Sequence, residues 1–458
     1  MKKIFFMFLF MLLPFMTISY AADEPIYDPS YNSNDGAFYA NGTNIVIDKD
    51  SDENTVITWI GGSQIVPSTV TIFAGGENGS NYENTNIIMN NGTVGHLVGG
   101  GVSVDENFPA LVTNSQITVN NGTILGGIVG GGYLYSQVDN TIIIINDGIV
   151  ASICGGGMAS ATVNGTYYSV GSEEDLQGSP NRTNKVTIVI NNGTVNSPSL
   201  NYGLVYGGGQ GYSFVGETEV IINGGDLSTA YVTAGGSNGY TEKSKVEING
   251  GNINIFQSVN RGVVENANAE VNGGSIQQFY VGGENDDVSV TGTINSVEIA
   301  LLDGQIGVLE AGKSNSTPLV IDQGNYVVLK TDDIEINNDN ISSEEIEVNY
   351  SISMPVSTVR IREDETLKMD VIVKTIPSGY ERLFDDIKFT SSDEDVATIT
   401  EGGILTGLKK GETTITATVV EEQASCNVIV ESAYNFVVII LVTVLILIIL
   451  GIIAGYIL

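Results

Sequence analysis

The chain has 458 residues, with 53 acidic against 18 basic side chains and a formal charge of −35, and only eight of the basic residues fall from Ala22 to Lys330. No basic surface is present to displace the counterions of a nucleic acid, which excludes that class of partner. Two cysteines in different regions, Cys154 and Cys426, rule out a disulfide-stapled scaffold, and each reads as a small buried apolar residue.

In chain order, Met1-Lys2-Lys3 leads into an apolar run from Ile4 to Met16 and then Ser19-Tyr20-Ala21. A charged start, a short apolar stretch and a small-x-small site predict a signal peptide over residues 1–21, cleaved after Ala21. Residues 22–40 are expected to form an N-terminal leader or cap. Asp48, Asp50 and Asp52 then place carboxylates at alternate positions, as a calcium loop does. The fit to an EF-hand fails at the sixth position, where Glu53 replaces glycine, so calcium here competes with a solvated acidic turn.

From about residue 41 to 330 one phrase recurs: an alternating strand, Asn-Asn-Gly or Asn-Gly-Gly, a short strand and a glycine-rich corner. Ile117-Thr118-Val119-Asn120-Asn121-Gly122 is one copy, closed by Gly130-Gly131-Gly132, and Ile188-Val189-Ile190-Asn191-Asn192-Gly193 is another, closed by Gly207-Gly208-Gly209. The glycines at 92, 122, 148, 193, 225, 251, 274 and 304 lie 30, 26, 45, 32, 26, 23 and 30 residues apart. That spacing predicts a right-handed parallel β-helix of about nine or ten coils, roughly 45 Å long at ~4.8 Å per coil. Alternating Val and Ile would bury one face, Asn-Gly would supply positive φ at the corners, and equivalent asparagines could bond in a ladder. An antiparallel meander closed by Asn-Gly hairpins is the alternative.

The 45-residue interval carries an insertion from Ala159 to Pro180 that is poor in strand pattern. Tyr167, Tyr168, Glu173, Glu174 and Asp175 make it a candidate binding loop, with a plain solvated excursion as the other reading. A β-helix can also carry a polysaccharide lyase or hydrolase, for which Arg182, Lys185 and Arg261 are the basic candidates, none of them near an obvious acidic cluster on an equivalent strand. His96, the sole histidine, follows a turn and reads as a surface polar residue. Neither a metal cluster of Cys and His nor a phosphate loop or nucleophile triad is visible. Asn41, Asn164, Asn181, Asn315, Asn340 and Asn349 begin glycosylation triplets, whereas Asn121 is explained by turn geometry.

An acidic, Asn-rich stretch at 331–350 is expected to be a linker. Beyond it, Phe389-Thr390-Ser391-Ser392-Asp393-Glu394-Asp395-Val396-Ala397-Thr398-Ile399 and Gly402-Gly403-Ile404-Leu405-Thr406-Gly407-Leu408-Lys409-Lys410-Gly411-Glu412-Thr413-Thr414-Ile415-Thr416-Ala417 make residues 351–431 resemble the group 2 bacterial immunoglobulin-like domain. Phe389 stands where that family usually has tryptophan. The resemblance implies a small β-sandwich of surface proteins, a spacer or adhesive module without catalytic residues. Turn signals at Gly402-Gly403 and Lys410-Gly411 between short alternating strands agree with a sandwich. The glycine-rich array itself resembles adhesin-like repeats in composition.

Residues 436–458 are uncharged and long enough as a helix to span a bilayer, although no basic residue follows to orient them. The whole is therefore expected to be all-β: a parallel β-helix, an immunoglobulin-like β-sandwich and one C-terminal transmembrane helix. The expected function is a non-catalytic, membrane-anchored surface protein for adhesion or envelope structure. A glycan or a surface protein would be its ligand, and calcium its only candidate cofactor.

Overall fold

Isoleucine and valine at every second position settle their branched side chains on one face of a pleated strand. The computed structural model describes residues 29–33, 36–163, 165–285, 292–311, 313–314, 326–330, 334–339, 349–376, 387–419, 422–432 and 446, and is all-β apart from one short 3-10 turn at Glu173–Asp175. Two units divide it, Met1–Ser343 and Glu344–Leu458.

In the first unit, strands Asn81–Met89, Ala110–Val119, Ser136–Ile145, Arg182–Ile190, Phe214–Ile222, Ser237–Ile248, Arg261–Tyr280 and Thr293–Glu310 each pair in parallel with the next. Register puts like beside like: Ile87, Ile117, Ile143, Ile188, Val220 and Val246 form one fully buried column. A second parallel run follows the corners, through Thr93–Val98, Thr123–Val129, Ser152–Cys154, Gly203–Tyr206, Asp226–Thr233 and Asn252–Gln257. The apolar faces of both runs share one core. Each such side chain taken out of water contributes about 1.5–3 kcal/mol, which is why the pattern fixes register so strongly.

The corners show two separate uses of glycine. Gly92, Gly122, Gly148, Gly193, Gly225, Gly251, Gly274 and Gly304 all have positive φ, between 87° and 114°, as a tight corner requires. Just before them runs a ladder of asparagines at the surface. Asn120, Asn146, Asn191, Asn223, Asn249 and Asn272 each donate Nδ2 to the Oδ1 of the asparagine one repeat earlier, beginning at Asn90, over 2.8–3.0 Å. The triple-glycine corners have ordinary φ and are glycine because backbone packs on backbone. Gly100 N–H donates to Gly131 O, Gly131 N–H to Gly156 O and Gly156 N–H to Gly208 O, over 2.9–3.0 Å. Buried hydroxyls tie strands to these corners, as where Thr85 Oγ1 donates to Gly99 O and Thr141 Oγ1 to Gly130 O.

Both ends of the array differ from expectation. Thr55–Trp59 pairs antiparallel with Ile45–Lys49 and with Gly62–Ile65, so the start is an antiparallel meander, although its turns at 50–54 and 60–61 contain no Asn-Gly. Ile45–Lys49 also pairs in parallel with Asn81–Met89, which joins that meander to the array. Ala37–Tyr39, within the expected cap, pairs in parallel with Thr71–Phe73. At the other end Ile334–Asp339 pairs in parallel with residues of Thr293–Glu310, so the sheet runs into the stretch expected as linker. Its Ile334 and Ile336 keep the period-2 pattern amid acidic neighbours.

The second unit holds a four-stranded sheet of Thr358–Arg362, Glu422–Glu431, Gly411–Val419 and Lys388–Ser391, and a three-stranded sheet of Thr366–Lys368, Ile404–Gly407 and Ala397–Ile399. Ile361, Ile415, Cys426 and Val428 of one sheet pack with Ala397 and Leu405 of the other, and Phe389 lies against this core. The expected leader, 1–21, lies outside the described residues, as does the expected span, 436–458, except for Ile446. Among the described residues no helix is long and apolar enough to cross a membrane.

Candidate functional site

The outer face of the second strand run is where the chain gathers side chains other than core. Tyr39, Phe73, Val98, Val129, Cys154 and Tyr206 stand in one register column. Excursions after each glycine corner fold over the first five, so that Leu134, Ala159 and Val170 join them in a second apolar cluster. Tyr39 and Phe73 stack at 5.2 Å, and Phe73 meets Tyr133 edge-on at 5.3 Å. Cys154 is a free, buried thiol whose pKa burial pushes up to about 12, the state of an inert packing residue.

Beyond Tyr206 the column turns polar, continuing as Thr233 and Gln257. There the array opens a cleft of about 400 Å³ lined by Tyr202, Tyr206, Tyr231, Gln257, Asn260 and Arg261, with Leu204 and Ser237. Tyr202 and Tyr231 meet at 5.9 Å with their rings 74° apart. Asn260 Nδ2 donates to the Tyr206 hydroxyl at 3.3 Å, and Gln257 Nε2 donates to Thr233 Oγ1 at 3.0 Å. Burial raises the Tyr206 pKa, so the phenol keeps its proton, while Arg261 is close enough to act in the opposite sense. Among the described residues no carboxylate lines this cleft.

The residues singled out from sequence are placed differently. Asp48 lies in the strand Ile45–Lys49 opposite Val56, while Asp50 and Asp52 sit on the turn between that strand and Thr55–Trp59. The Asn54 side-chain amide donates to the Asp50 carboxylate at 3.1 Å and does most to hold its pKa below the usual value, helped by the backbone N–H groups of Asn54 and Asp52, both 2.9 Å from Oδ1. Asp48 Oδ1 accepts from Lys49 N–H. Glu53 takes the left-handed conformation at φ 65°, and Lys49 Nζ binds its carboxylate at 2.7 Å. Asp50 thus takes part in the hydrogen bonds of this hairpin turn, and among the described residues no three His, Cys, Asp or Glu side chains gather as metal ligands.

The insertion is more ordered than its sequence pattern predicts. Ser160–Val163 and Thr166–Ser169 form a hairpin, stabilised because Tyr168 packs into the second apolar cluster while Tyr167 stays 68% exposed at its tip. Glu174 is exposed, Asp175 Oδ1 caps Gly178 N–H, and Leu176 docks against Phe214 and Tyr240. The Glu173 side chain lies outside the described residues. Tyr168 is thus drawn into the apolar cluster, whereas Tyr167, Glu174 and Asp175 are exposed.

Of the basic candidates, Arg182 lies 3.7 Å over the Phe214 ring and donates to Gln177 O at 2.6 Å, a packing role. Lys185 faces Glu217 in register. Arg261 alone reaches the cleft. Burial lowers the His96 pKa, and its imidazole fills the space above Gly126, so it is a packed rather than a surface residue. Asn181 is fully buried, with Nδ2 donating to Gly132 O and Leu134 O, which removes it from the glycosylation candidates. Asn164, Asn315 and Asn340 lie outside the described residues.

Sequence reading missed the tyrosines of the cleft. The visible signal was Tyr202 just before the strand Gly203–Tyr206, and Tyr206 at its end, where the three preceding repeats carry Val98, Val129 and Cys154. Residues 350–428 match the bacterial Ig-like domain (group 2) family. The chain as a whole has no significant match among the curated proteins.

Proposed function

We propose that this chain is a non-catalytic, membrane-anchored protein of the cell surface, in which a parallel β-helix is displayed for adhesion or envelope architecture. The observation that carries the reading is the stack of parallel repeats, bonded along its surface by asparagines and followed in sequence by a bacterial Ig-like domain. A stack of this kind offers a long, self-bonded surface, and each repeat rests only on its neighbours. The excess of acidic residues keeps such a surface soluble and apart from other anionic surfaces.

Polysaccharide cleavage is the competing reading. Glycoside hydrolysis needs paired carboxylates, and among the described residues none lines the cleft. Protease treatment of intact cells, followed by immunodetection, tests display: loss of the array with retention of a membrane-bound fragment is expected. An array protected from protease, or release of oligosaccharides by the purified full chain, would sink the proposal.

A further inference from the structure

The corners of the array share one backbone design, yet the residue just before each positive-φ glycine varies. It is asparagine at Asn91, Asn121 and Asn192, and aspartate or glycine at Asp147, Gly224, Gly250, Gly273 and Asp303. The residue just after that glycine stands in register from repeat to repeat. It is Thr93, Thr123 or Thr194 where asparagine precedes, and Ile149, Asp226, Asn252, Ser275 or Gln305 where it does not. Turn geometry does not ask for this pairing of asparagine with threonine, since aspartate and glycine close the same corner. Asn-Gly-Thr is an acceptor triplet for N-linked glycans.

The geometry suits that modification at two of the three corners. Asn121 and Asn192 are exposed, and Thr123 and Thr194 are partly so. The corner uses only Oδ1 of Asn121, which accepts from Gly122 N–H at 2.7 Å. Among the described residues Nδ2 of Asn121 and of Asn192 has no partner, whereas Nδ2 of Asn120 and of Asn191 is committed to the ladder at 2.9 Å. A glycan replaces one amide hydrogen and leaves the carbonyl, so the corner bond survives it. Asn91 is only half-exposed, and a Cβ on Gly92 beside it would meet Thr55 of the opening meander at 3.0 Å. One coil, about 4.8 Å, separates Asn91 from Asn121, too little for two sugars side by side. Asn121 and Asn192 stand two coils apart, roughly 10 Å, with Asp147 between them.

We propose that Asn121 and Asn192 are N-glycosylation sites, each taking an oligosaccharide from a polyisoprenyl diphosphate donor. Nδ2 forms the bond to the anomeric carbon of the first sugar and gives up one proton. The bond from that carbon to the diphosphate oxygen breaks, and the diphosphate leaves with its electron pair. The attached sugars then stand along the corner edge of the array, beside the asparagine ladder. The inference rests on the reading of the chain as exported to the cell surface, since this transfer acts on exported chains.

Mass spectrometry of intact glycopeptides, from the full chain purified out of the cells that make it, tests the proposal. Glycan is expected on Asn121 and Asn192 and on neither Asn120 nor Asn191. Thr123→Ala keeps Asn121 and its bond to Gly122, yet should remove the Asn121 glycan and leave the one on Asn192. Thr123→Ser should retain both. Unmodified Asn121 and Asn192 overturn the inference, as does an Asn121 glycan that persists in Thr123→Ala. Protease shaving of the same cells separates the two readings. Unmodified peptides from an array that protease removes leave surface display standing, whereas glycan on an array protected from protease contradicts display alone.

Discussion

Asn146 donates its side-chain amide to Asn120 Oδ1 at 2.8 Å, one repeat away, where Ile145 lies opposite Val119 in the parallel register. The same Asn146 accepts from Asn191 Nδ2 at 2.9 Å. A side chain that must donate in one direction and accept in the other can be asparagine but not aspartate. The next position only accepts: Asn91, Asn121, Asp147 and Asp303 all take the N–H of the following glycine. Asparagine and aspartate serve equally there, which explains the Asn146-Asp147-Gly148 variant of the corner.

Swapping the two chemistries at one corner therefore has opposite results. Asn146→Asp should cost about 1–2 kcal/mol at neutral pH, because the donor to Asn120 is lost and a carboxylate faces its oxygen. The new group's pKa is raised in the fold, so the loss should shrink below about pH 4 as the carboxyl regains a proton. Asp147→Asn should change stability by less than about 0.5 kcal/mol. Urea unfolding followed by the single tryptophan, Trp59, reads both; equal effects would contradict the ladder.

The triple-glycine corner makes a steric prediction. A Cβ on Gly131 would lie 2.6 Å from both Gly157 N and Thr183 Oγ1. Backbone below cannot retreat without breaking the bond between Gly131 N–H and Gly156 O. Gly131→Ala should therefore cost at least about 3 kcal/mol, near the upper end for overpacking. Gly165, where a Cβ meets nothing within 4 Å, provides the control. Its φ of 77° limits Gly165→Ala to about 1 kcal/mol of backbone strain. Comparable melting losses in the two variants would refute close packing as the reason for the triplet.

What sequence could and could not reveal follows from the range of each force. The corner glycines from Gly92 to Gly304 were legible because positive φ is a local demand, and the core columns because period 2 is local too. The antiparallel pairing of Thr55–Trp59 was not legible, since Val56, Ile57 and Thr58 alternate alike in either direction. The cleft was less legible still. Tyr206, Thr233 and Gln257 are 27 and 24 residues apart and become neighbours only through register.

Asn181 gives a test that separates triplet from structure. Its side chain is fully buried beneath the excursions, donating to carbonyls of Gly132 and Leu134. Expression in a glycosylating host should leave Asn181 unmodified. Asn181→Asp should destabilise by about 3 kcal/mol or more, since it buries a charge facing carbonyl oxygens. Glycan on a peptide containing Asn181 from folded protein would show that this packing is wrong.

The buried thiol makes the array sensitive to alkali in a defined direction. Cys154 rises from 9.0 to about 12 on folding, and burial also raises the Tyr133 phenol above its usual value. Both groups must stay neutral in the fold while the unfolded chain releases their protons. Stability is therefore unaffected below about pH 9 and falls as pH climbs toward the folded-state pKa of the thiol, by about 1.4 kcal/mol per unit from Cys154 alone. Cys154→Ala should lower stability at neutral pH by leaving a cavity against Gly156 and Gly208, yet flatten the slope between about pH 9 and 11. Trp59 fluorescence in urea across that range measures the slope. An unchanged slope in the variant would mean that the thiolate forms without opening the cluster of Val129, Leu134 and Ala159.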